Sequence, residues 1–319
     1  MGGVADYSGS FVLEVATSVE TTVSVREGEA PAAAGSVTLS TAAFGAETVG
    51  DGLTWLRAWQ ARAGSLPLSE RLAQVRAYLE GRPRWVLYVF GSLAGFVGGT
   101  GWVPAQCCLH LTVASSVPLS QGVSSSASIE VAVLRALRAF SGAALDDIAL
   151  AHLGQRVENY VVGAPCGLMD QLASSLGRAG QVLPILCRPD VISPLVPLPA
   201  GTCVVGWPSG AEHTLDGASP YGIARTASFM AKKVLEATLG RKLGHLAQLQ
   251  PSEVAAVLNR LPESISGADF LAAHGGVDDA LSTVEPGRTY ALRAGALFPV
   301  QESFRCEACA QWQKGGCAG

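Results

Sequence analysis

Hydrophobic side chains recur along this chain with two periods, one typical of helices and one typical of strands. The clearest helical pattern follows a serine-rich loop, where Ile129, Val133, Leu137 and Phe140 fall on one helical face. This spacing predicts a helix over residues 126–141. Similar patterns predict helices over residues 51–63, 68–80, 84–96, 146–160, 221–239 and 253–261.

Shorter apolar runs predict strands between these helices. Strands and helices interleave without a regular alternation, which is typical of an α+β fold rather than of a doubly wound parallel sheet. A proline-rich stretch over residues 189–199 interrupts both patterns, so we expect one domain over residues 1–190 and a second over residues 200–319. The predicted strands cover residues 11–25, 107–113, 182–187 and 203–207.

Composition narrows the class of protein. Apolar residues make up 49% of the 319 residues and charged residues 15%, which is typical of a globular chain and excludes a disordered one. A net charge of −4 without a basic cluster gives no general attraction for nucleic acid. The longest apolar run, residues 85–97, is too short to cross a bilayer, and the first residues carry no secretory pattern. We expect a cytoplasmic protein with no nucleic acid or membrane partner and an oligomeric state that the sequence leaves open.

Eight cysteines in a chain of this length predict no disulfide framework. Cys107, Cys108, Cys187 and Cys203 lie among apolar residues and are predicted to be small core side chains. A C-x-x-C pair near residue 306 lacks the further ligands that a zinc site needs. Cysteine chemistry is therefore not the predicted function.

The segment from Pro118 to Ser128 reads P-L-S-Q-G-V-S-S-S-A-S and leads directly into the predicted helix. A helix N-terminus presents unpaired N–H groups and the positive end of the helix dipole, so it attracts an anion. Gly122 would let the backbone approach such an anion closely. Serines also cap helices by local hydrogen bonds alone, and the residues leave this alternative open.

Two other segments, together with this loop, match the motifs of one protein family. One begins at Val157 and reads V-E-N-Y-V-V-G-A-P-C-G-L-M-D-Q, and the other is the opening M-G-G-V-A-D-Y-S-G-S. Together the three motifs resemble the galactokinase branch of the GHMP small-molecule kinases, most of all the plant-type L-arabinokinases. The resemblance implies a two-domain α+β fold, with a ribosomal-protein-like N-terminal domain and an incomplete ferredoxin-like C-terminal domain. It also implies ATP-dependent phosphorylation of the anomeric hydroxyl of a monosaccharide, either L-arabinose or D-galactose.

The resemblance assigns the serine loop to the phosphates of ATP. Ser125 and Ser126 would bind Mg²⁺ together with Glu158, because this ion takes one or two protein oxygens besides those of the phosphates. A solvated surface carboxylate remains the alternative for Glu158. The implied phosphate-binding residues are Pro118, Gly122, Val123, Ser124, Ser125, Ser126 and Ala127.

The same resemblance also implies which residues bind the sugar that accepts the phosphoryl group, here called the acceptor side of the site. Asp170 would be the catalytic base or the group that orients the acceptor hydroxyl, although by residue type alone it is equally a turn or capping residue. Asp6 suits a sugar because a carboxylate accepts from two neighbouring hydroxyls. Arg225 follows Tyr221 in a matching Tyr-x-x-x-Arg pattern. The implied sugar-binding residues are Asp6, Tyr7, Gly167, Asp170 and Tyr221.

Several positions depart from the family pattern. The arginine that precedes the first motif and the Gly-rich third motif have no counterpart in the 319 residues, so we expect a piece of a larger kinase. Gly3-Val4 replaces a Glu-His pair, Pro208 an aspartate and Glu212 an arginine. Two alternatives therefore stay open: a non-catalytic relative that binds sugar and ATP, and a GHMP kinase for another small alcohol such as mevalonate or homoserine.

Overall fold

The computed structural model describes residues 1–3, 5–28, 34–62, 64–105, 107–207, 210 and 218–315, with side chains up to residue 311. Val4, Pro208 and Glu212 lie outside the described residues. The strands are β1 Phe11–Val15, β2 Thr21–Glu27, β3 Val37–Thr41, β4 Gly45–Val49, β5 Leu109–Ser115, β6 Gln181–Cys187, β7 Asp190–Ile192, β8 Val196–Pro197, β9 Ile265–Ser266 and β10 Thr289–Tyr290.

Ten helices account for most of the remaining described chain. Short turns of other helical types lie at Asp6–Ser8 and Glu158–Val162, and the second of these is a π-helical turn. The helices are α1 Gly52–Ala61, α2 Leu68–Tyr78, α3 Arg84–Thr100, α4 Ser125–Ser141, α5 Asp147–Val157, α6 Met169–Leu176, α7 Pro220–Leu239, α8 Pro251–Val257, α9 Gly267–His274 and α10 Leu292–Gly315.

Two four-stranded sheets frame the first part of the chain. The first has the order β2-β5-β3-β4, in which only the β3 and β5 pair is parallel. In the second, β6 pairs with β1 on one edge and with β7 and β8 on the other, all antiparallel. Alternate residues of β5 are buried, which gives the first sheet one core face and one open face.

The largest core forms around α3, which explains the apolar run in the sequence. Val86, Val89, Phe90, Leu93 and their neighbours up to residue 97 are buried on every side of this helix. A helix that is apolar all round has to be covered on all faces, and α2, α4 and α5 pack against it. This arrangement brings the N-termini of α3 and α4 to the same region of the molecule as the end of α5.

A second core joins α7, α8, α9 and the start of α10, with Met230, Phe270 and Tyr290 buried in it. The end of α10 leaves this core and packs on β1 through Cys306 and Ala310. Because β7 and β8 continue the second sheet beyond residue 190, the predicted boundary region still belongs to the first half of the fold. The division into residues 1–190 and 200–319 stays a prediction.

The predicted α+β class is confirmed, and each predicted helix is present with ends shifted by a few residues. Two strand predictions are wrong. Residues 11–25 hold β1 and β2 rather than one strand. Residues 203–207 form none, because Val205 and Trp207 are exposed and no strand within the described residues pairs with them. Cys107 and Cys203 are exposed rather than in the core. No helix in the described part of the chain is long and apolar enough to span a membrane.

Candidate active site

The serine loop joins β5 to α4 in a conformation that costs backbone energy. Ser120 and Ser124 adopt φ values of 56° and 61°, in the left-handed region that disfavours side chains, and Gly122 adopts 70°. Strain of this kind persists where the surrounding structure imposes it, often at functional sites. The Ser124 side chain makes no capping hydrogen bond, so the alternative of an ordinary serine cap does not describe this helix start.

A cavity of about 480 Å³ opens beside this loop. Gly122 and the three serines form one wall, and the implied acceptor residues form another. Pro118 and Val123 are exposed and Ala127 is buried, and none of these three lines the cavity. The predicted site residues that line it are Asp6, Gly122, Ser124, Ser125, Ser126, Gly167, Asp170 and Tyr221.

Asp170 lies in the first turn of α6 and lines the cavity between the two walls. Burial and, after it, the negative charges of Asp6, Glu14 and Glu158 raise the pKa of Asp170 to about 8, against the opposing effect of the Ser124 hydroxyl. A carboxylate with such a pKa accepts a proton readily near neutral pH. The geometry therefore gives Asp170 the environment of a base rather than that of a plain turn residue.

Glu158 begins the π-helical turn that follows α5, and its carbonyl accepts hydrogen bonds from the N–H groups of Gly163 at 2.9 Å and Ala164 at 3.0 Å. The side chain is only 1% exposed, so the alternative of a solvated carboxylate is wrong. Burial raises the pKa of Glu158, and the nearby Ser126 hydroxyl and the charge of Arg84 lower it. Its Oε1 atom is buried without a hydrogen-bond partner among the described residues. Single π turns of this type recur at functional sites.

Asp6 depends on the glycine opposite it. Its carboxylate is 4% exposed and accepts a hydrogen bond from the N–H of Tyr7 at 2.9 Å. A Cβ atom built at Gly167 would lie 1.6 Å from Asp6 Oδ2, so only glycine fits there. Burial raises the pKa of Asp6, and the charge of Arg225 opposes this rise.

The aromatic residues of the acceptor side divide into two layers. Tyr221 lines the cavity, whereas Tyr7 does not and packs behind it, with its ring centroid 5.7 Å from that of Tyr221. The guanidinium of Arg225 lies 5.2 Å from the Tyr7 ring centroid and donates to both carboxylate oxygens of Asp279, at 3.0 and 3.1 Å. Arg225 thus supports the acceptor wall from behind.

The sequence interpretation missed one wall of the cavity. Phe44, in the turn between β3 and β4, stacks on Trp85 with ring centroids 6.2 Å apart, and Arg84 and Tyr88 lie beside them on α3. No motif marks these residues, because they come together only through packing of the hairpin against α3. Two buried neighbours of Glu158, namely Glu130 and Gln171, were also missed. No group of three or more His, Cys, Asp and Glu side chains within the described chain forms a metal cluster.

Residues 91–178 match the family model for the GHMP kinases N terminal domain. This segment runs from α3 to just beyond α6 and contains the serine loop, Glu158 and Asp170. The resemblance that the three motifs indicated is therefore confirmed.

Curated relatives and a solved structure extend this match. An L-arabinokinase of Arabidopsis thaliana is 29% identical over an alignment of 351 positions, which covers 96% of this chain and 34% of that protein. A galactokinase of Chloroflexus aurantiacus is 36% identical over 184 residues, which cover 58% of this chain and 46% of that protein. The crystal structure of Lactococcus lactis galactokinase complexed with galactose superposes with a TM-score of 0.66 at 19% identity, covering 99% of this chain and 67% of that one, and shows the shared fold. The chain thus spans less than half the length of either curated relative, 34% of the arabinokinase and 46% of the galactokinase.

Proposed function

We propose that this chain, which contains a GHMP kinase N-terminal domain match, carries out ATP-dependent phosphorylation of the anomeric hydroxyl of a monosaccharide. One observation carries the proposal: the serine loop meets both implied carboxylates, with Ser124 beside Asp170 and Ser126 beside Glu158. Phosphoryl transfer needs positioned phosphates, charge neutralisation and a group near the acceptor hydroxyl. The serine loop and Asp170 line the cavity, and Glu158, which would neutralise charge through a cation, is buried beside Ser126.

The nucleotide would bind along the wall formed by the serine loop and α3. The N-terminus of α4 favours the phosphates, and Arg84 adds a positive charge at the cavity wall. The stacked rings of Phe44 and Trp85 offer an apolar face for the adenine base. This arrangement supports ATP, which the family match implies, as the phosphoryl donor.

Mg²⁺ is the cation that we propose for the site. The buried Oε1 atom of Glu158 lacks a hydrogen-bond partner among the described residues, and a hydroxyl of Ser126 lies close to the same carboxylate. These are the hard oxygen ligands that Mg²⁺ prefers, so Glu158 with Ser126 or Ser125 fits the ion. When bound, the ion would neutralise charge on the phosphate oxygens.

On the acceptor side, Asp170 would take the proton of the anomeric hydroxyl. The carboxylate of Asp6, the Tyr221 hydroxyl and the backbone at Gly167 would hold the other hydroxyls of the sugar. L-arabinose is the first candidate and D-galactose the second, because the arabinokinase match covers most of this chain and a galactokinase shares the fold. The division into domains 1–190 and 200–319 and the cytoplasmic location remain proposals of the same kind.

A substrate panel tests this proposal. The purified 319-residue chain is incubated with labelled ATP and Mg²⁺, and transfer of label to L-arabinose, D-galactose, D-glucose and mevalonate is measured. We expect L-arabinose and D-galactose to be preferred, since a site that hydrogen-bonds a hydroxyl rejects analogues lacking it by about 10⁴-fold. Equal transfer to mevalonate would contradict the sugar assignment, and sugar and nucleotide binding without any transfer would favour the non-catalytic alternative.

A further inference from the structure

A glutamine links two buried carboxylates behind the cavity. The side-chain Nε2 of Gln171 donates to Glu158 Oε2 at 2.7 Å and to Glu130 Oε2 at 3.1 Å. Glu130 and Gln171 have no exposed surface, and neither lines the cavity. Both N–H groups of the amide are therefore used within the protein, and both hold carboxylates.

Three helices converge to make this contact. Glu130 belongs to α4, Gln171 to α6, and Glu158 directly follows α5. Gly154, one turn before Glu158, leaves the space: a Cβ atom built there would lie 3.2 Å from Gln171 Cγ and 3.4 Å from Glu130 Oε2. The absence of a side chain at Gly154 thus makes room for Glu130 and Gln171.

This cluster is costly for a merely structural role. Glu130 Oε1, Gln171 Oε1 and Glu158 Oε1 are all buried without a hydrogen-bond partner among the described residues. Each such atom has lost its hydrogen bonds to water without gaining one in the protein, and apolar side chains of similar volume would avoid that cost. Burial and, after it, the charge of Glu158 hold the pKa of Glu130 well above its usual range, and burial also raises the pKa of Glu158.

We propose that Gln171 and Glu130 are positioning residues that fix the orientation of the Glu158 carboxylate. Gln171 engages Oε2 of Glu158, and Glu130 fixes the Gln171 amide from the opposite side, so that Oε1 of Glu158 remains available to a divalent cation. This inference rests on the proposed role of Glu158 in binding Mg²⁺. Residues that orient a metal ligand in this way typically contribute about 10- to 100-fold to metal affinity or activity.

The first test replaces Gln171 with a side chain of similar length that cannot donate. We expect Gln171→Met to weaken Mn²⁺ binding to the complex of the chain with ADP by about 10- to 100-fold, measured by electron paramagnetic resonance. Sugar binding should stay near wild type, because Gln171 does not reach the cavity. The matched control is Gln155→Met, a partly exposed glutamine on α5. Equal Mn²⁺ affinity in Gln171→Met and the control would overturn the inference.

The second test uses Glu130 and does not depend on the first variant folding. Glu130→Gln keeps an oxygen that accepts from Gln171 and should retain most of the Mn²⁺ affinity, whereas Glu130→Leu removes the acceptor and should lose about tenfold or more. If both Glu130 variants bind Mn²⁺ alike at similar melting temperatures, the inference is wrong. If instead the wild-type chain binds ADP with no dependence on Mn²⁺, the proposed role of Glu158 fails first, and the two failures are distinguished.

Discussion

The two ends of the cavity are built in different ways. The phosphate-binding part of the nucleotide end comes largely from one stretch, residues 118–158, which contains the serine loop and Glu158, with Arg84 of α3 beside it. The acceptor end joins Asp6 and Tyr221, more than 200 residues apart, with support from Arg225 and Asp279. Residues that are close in sequence can be recognised as a motif. Residues that come from distant segments meet only when the whole chain has packed.

The largest expected effect lies where the two ends meet. Asp170→Asn keeps the shape of the side chain and removes its basicity, so turnover should fall by about 10²- to 10⁴-fold, the usual contribution of a general base. Nucleotide binding should be unchanged. Steady-state kinetics and titration with ADP measure the two quantities, and a loss of less than about tenfold would return Asp170 to the role of a turn residue.

Gly167→Ala should damage the acceptor end alone. The added methyl group would collide with Asp6 Oδ2, so the carboxylate must move and sugar affinity should fall by about 10- to 100-fold. Gly50→Ala is the control, because a Cβ atom there meets nothing within 4 Å. Calorimetric titrations with sugar and with ADP separate the two ends, and equal losses for both ligands would mean that the ends are not independent.

Trp85→Leu should weaken the nucleotide end with a smaller effect. Loss of a stacking ring costs about 1–3 kcal/mol per base, so ADP affinity should fall by about tenfold while sugar affinity is retained. Trp207→Leu provides the control, since this residue is 88% exposed and lies away from the cavity. Unchanged ADP affinity in Trp85→Leu would place the adenine base elsewhere.

The last expected effect concerns pH and stability rather than turnover or ligand affinity. The pKa of Asp170 is raised from 3.8 to about 8, so the folded state binds a proton that the unfolded state has already released. The resulting stabilisation is complete below about pH 3.8 and is lost as the pH rises through about 8. The melting temperature of Asp170→Asn relative to wild type should therefore increase between pH 5 and about 8.5. A constant difference across this range would show that Asp170 is ionised throughout.

The sequence was most informative where chemistry is local. Ser124, Glu158 and Asp170 were found because each lies in a short contiguous motif that resembles a motif of the GHMP kinases. Phe44 and Trp85 could not be found in this way, because a hairpin has to fold against α3 before they touch. The same limit explains why Gln171 was overlooked, since its partners Glu130 and Glu158 belong to different helices.

The wrong strand prediction at residues 203–207 and the missed helix α10 also reflect the packing of the folded chain. The apolar run at residues 203–207 has the composition of a strand, but a strand needs a partner edge, and the described part of the chain places none beside it. In contrast, α10 carries a proline at position 299 and polar residues on several sides, so no simple period marked it. The first half of α10 packs on the second core and the second half on β1, so its buried residues do not follow a single apolar stripe along the helix.

Hydrogen bonds between α10 and the first residues of this chain can form only after α10 has been synthesised. Ser10 donates to the Pro299 carbonyl at 3.1 Å, and the Phe11 N–H donates to the Ser303 hydroxyl at 2.9 Å. These partners are separated by 289 and 292 residues, so at about 5–20 residues per second the ribosome produces the second roughly 15 to 60 seconds after the first. The segment around Asp6 therefore emerges before α10 and gains these two hydrogen bonds only after α10 has been made. A nascent chain can therefore form the phosphate end well before it has a place for sugar.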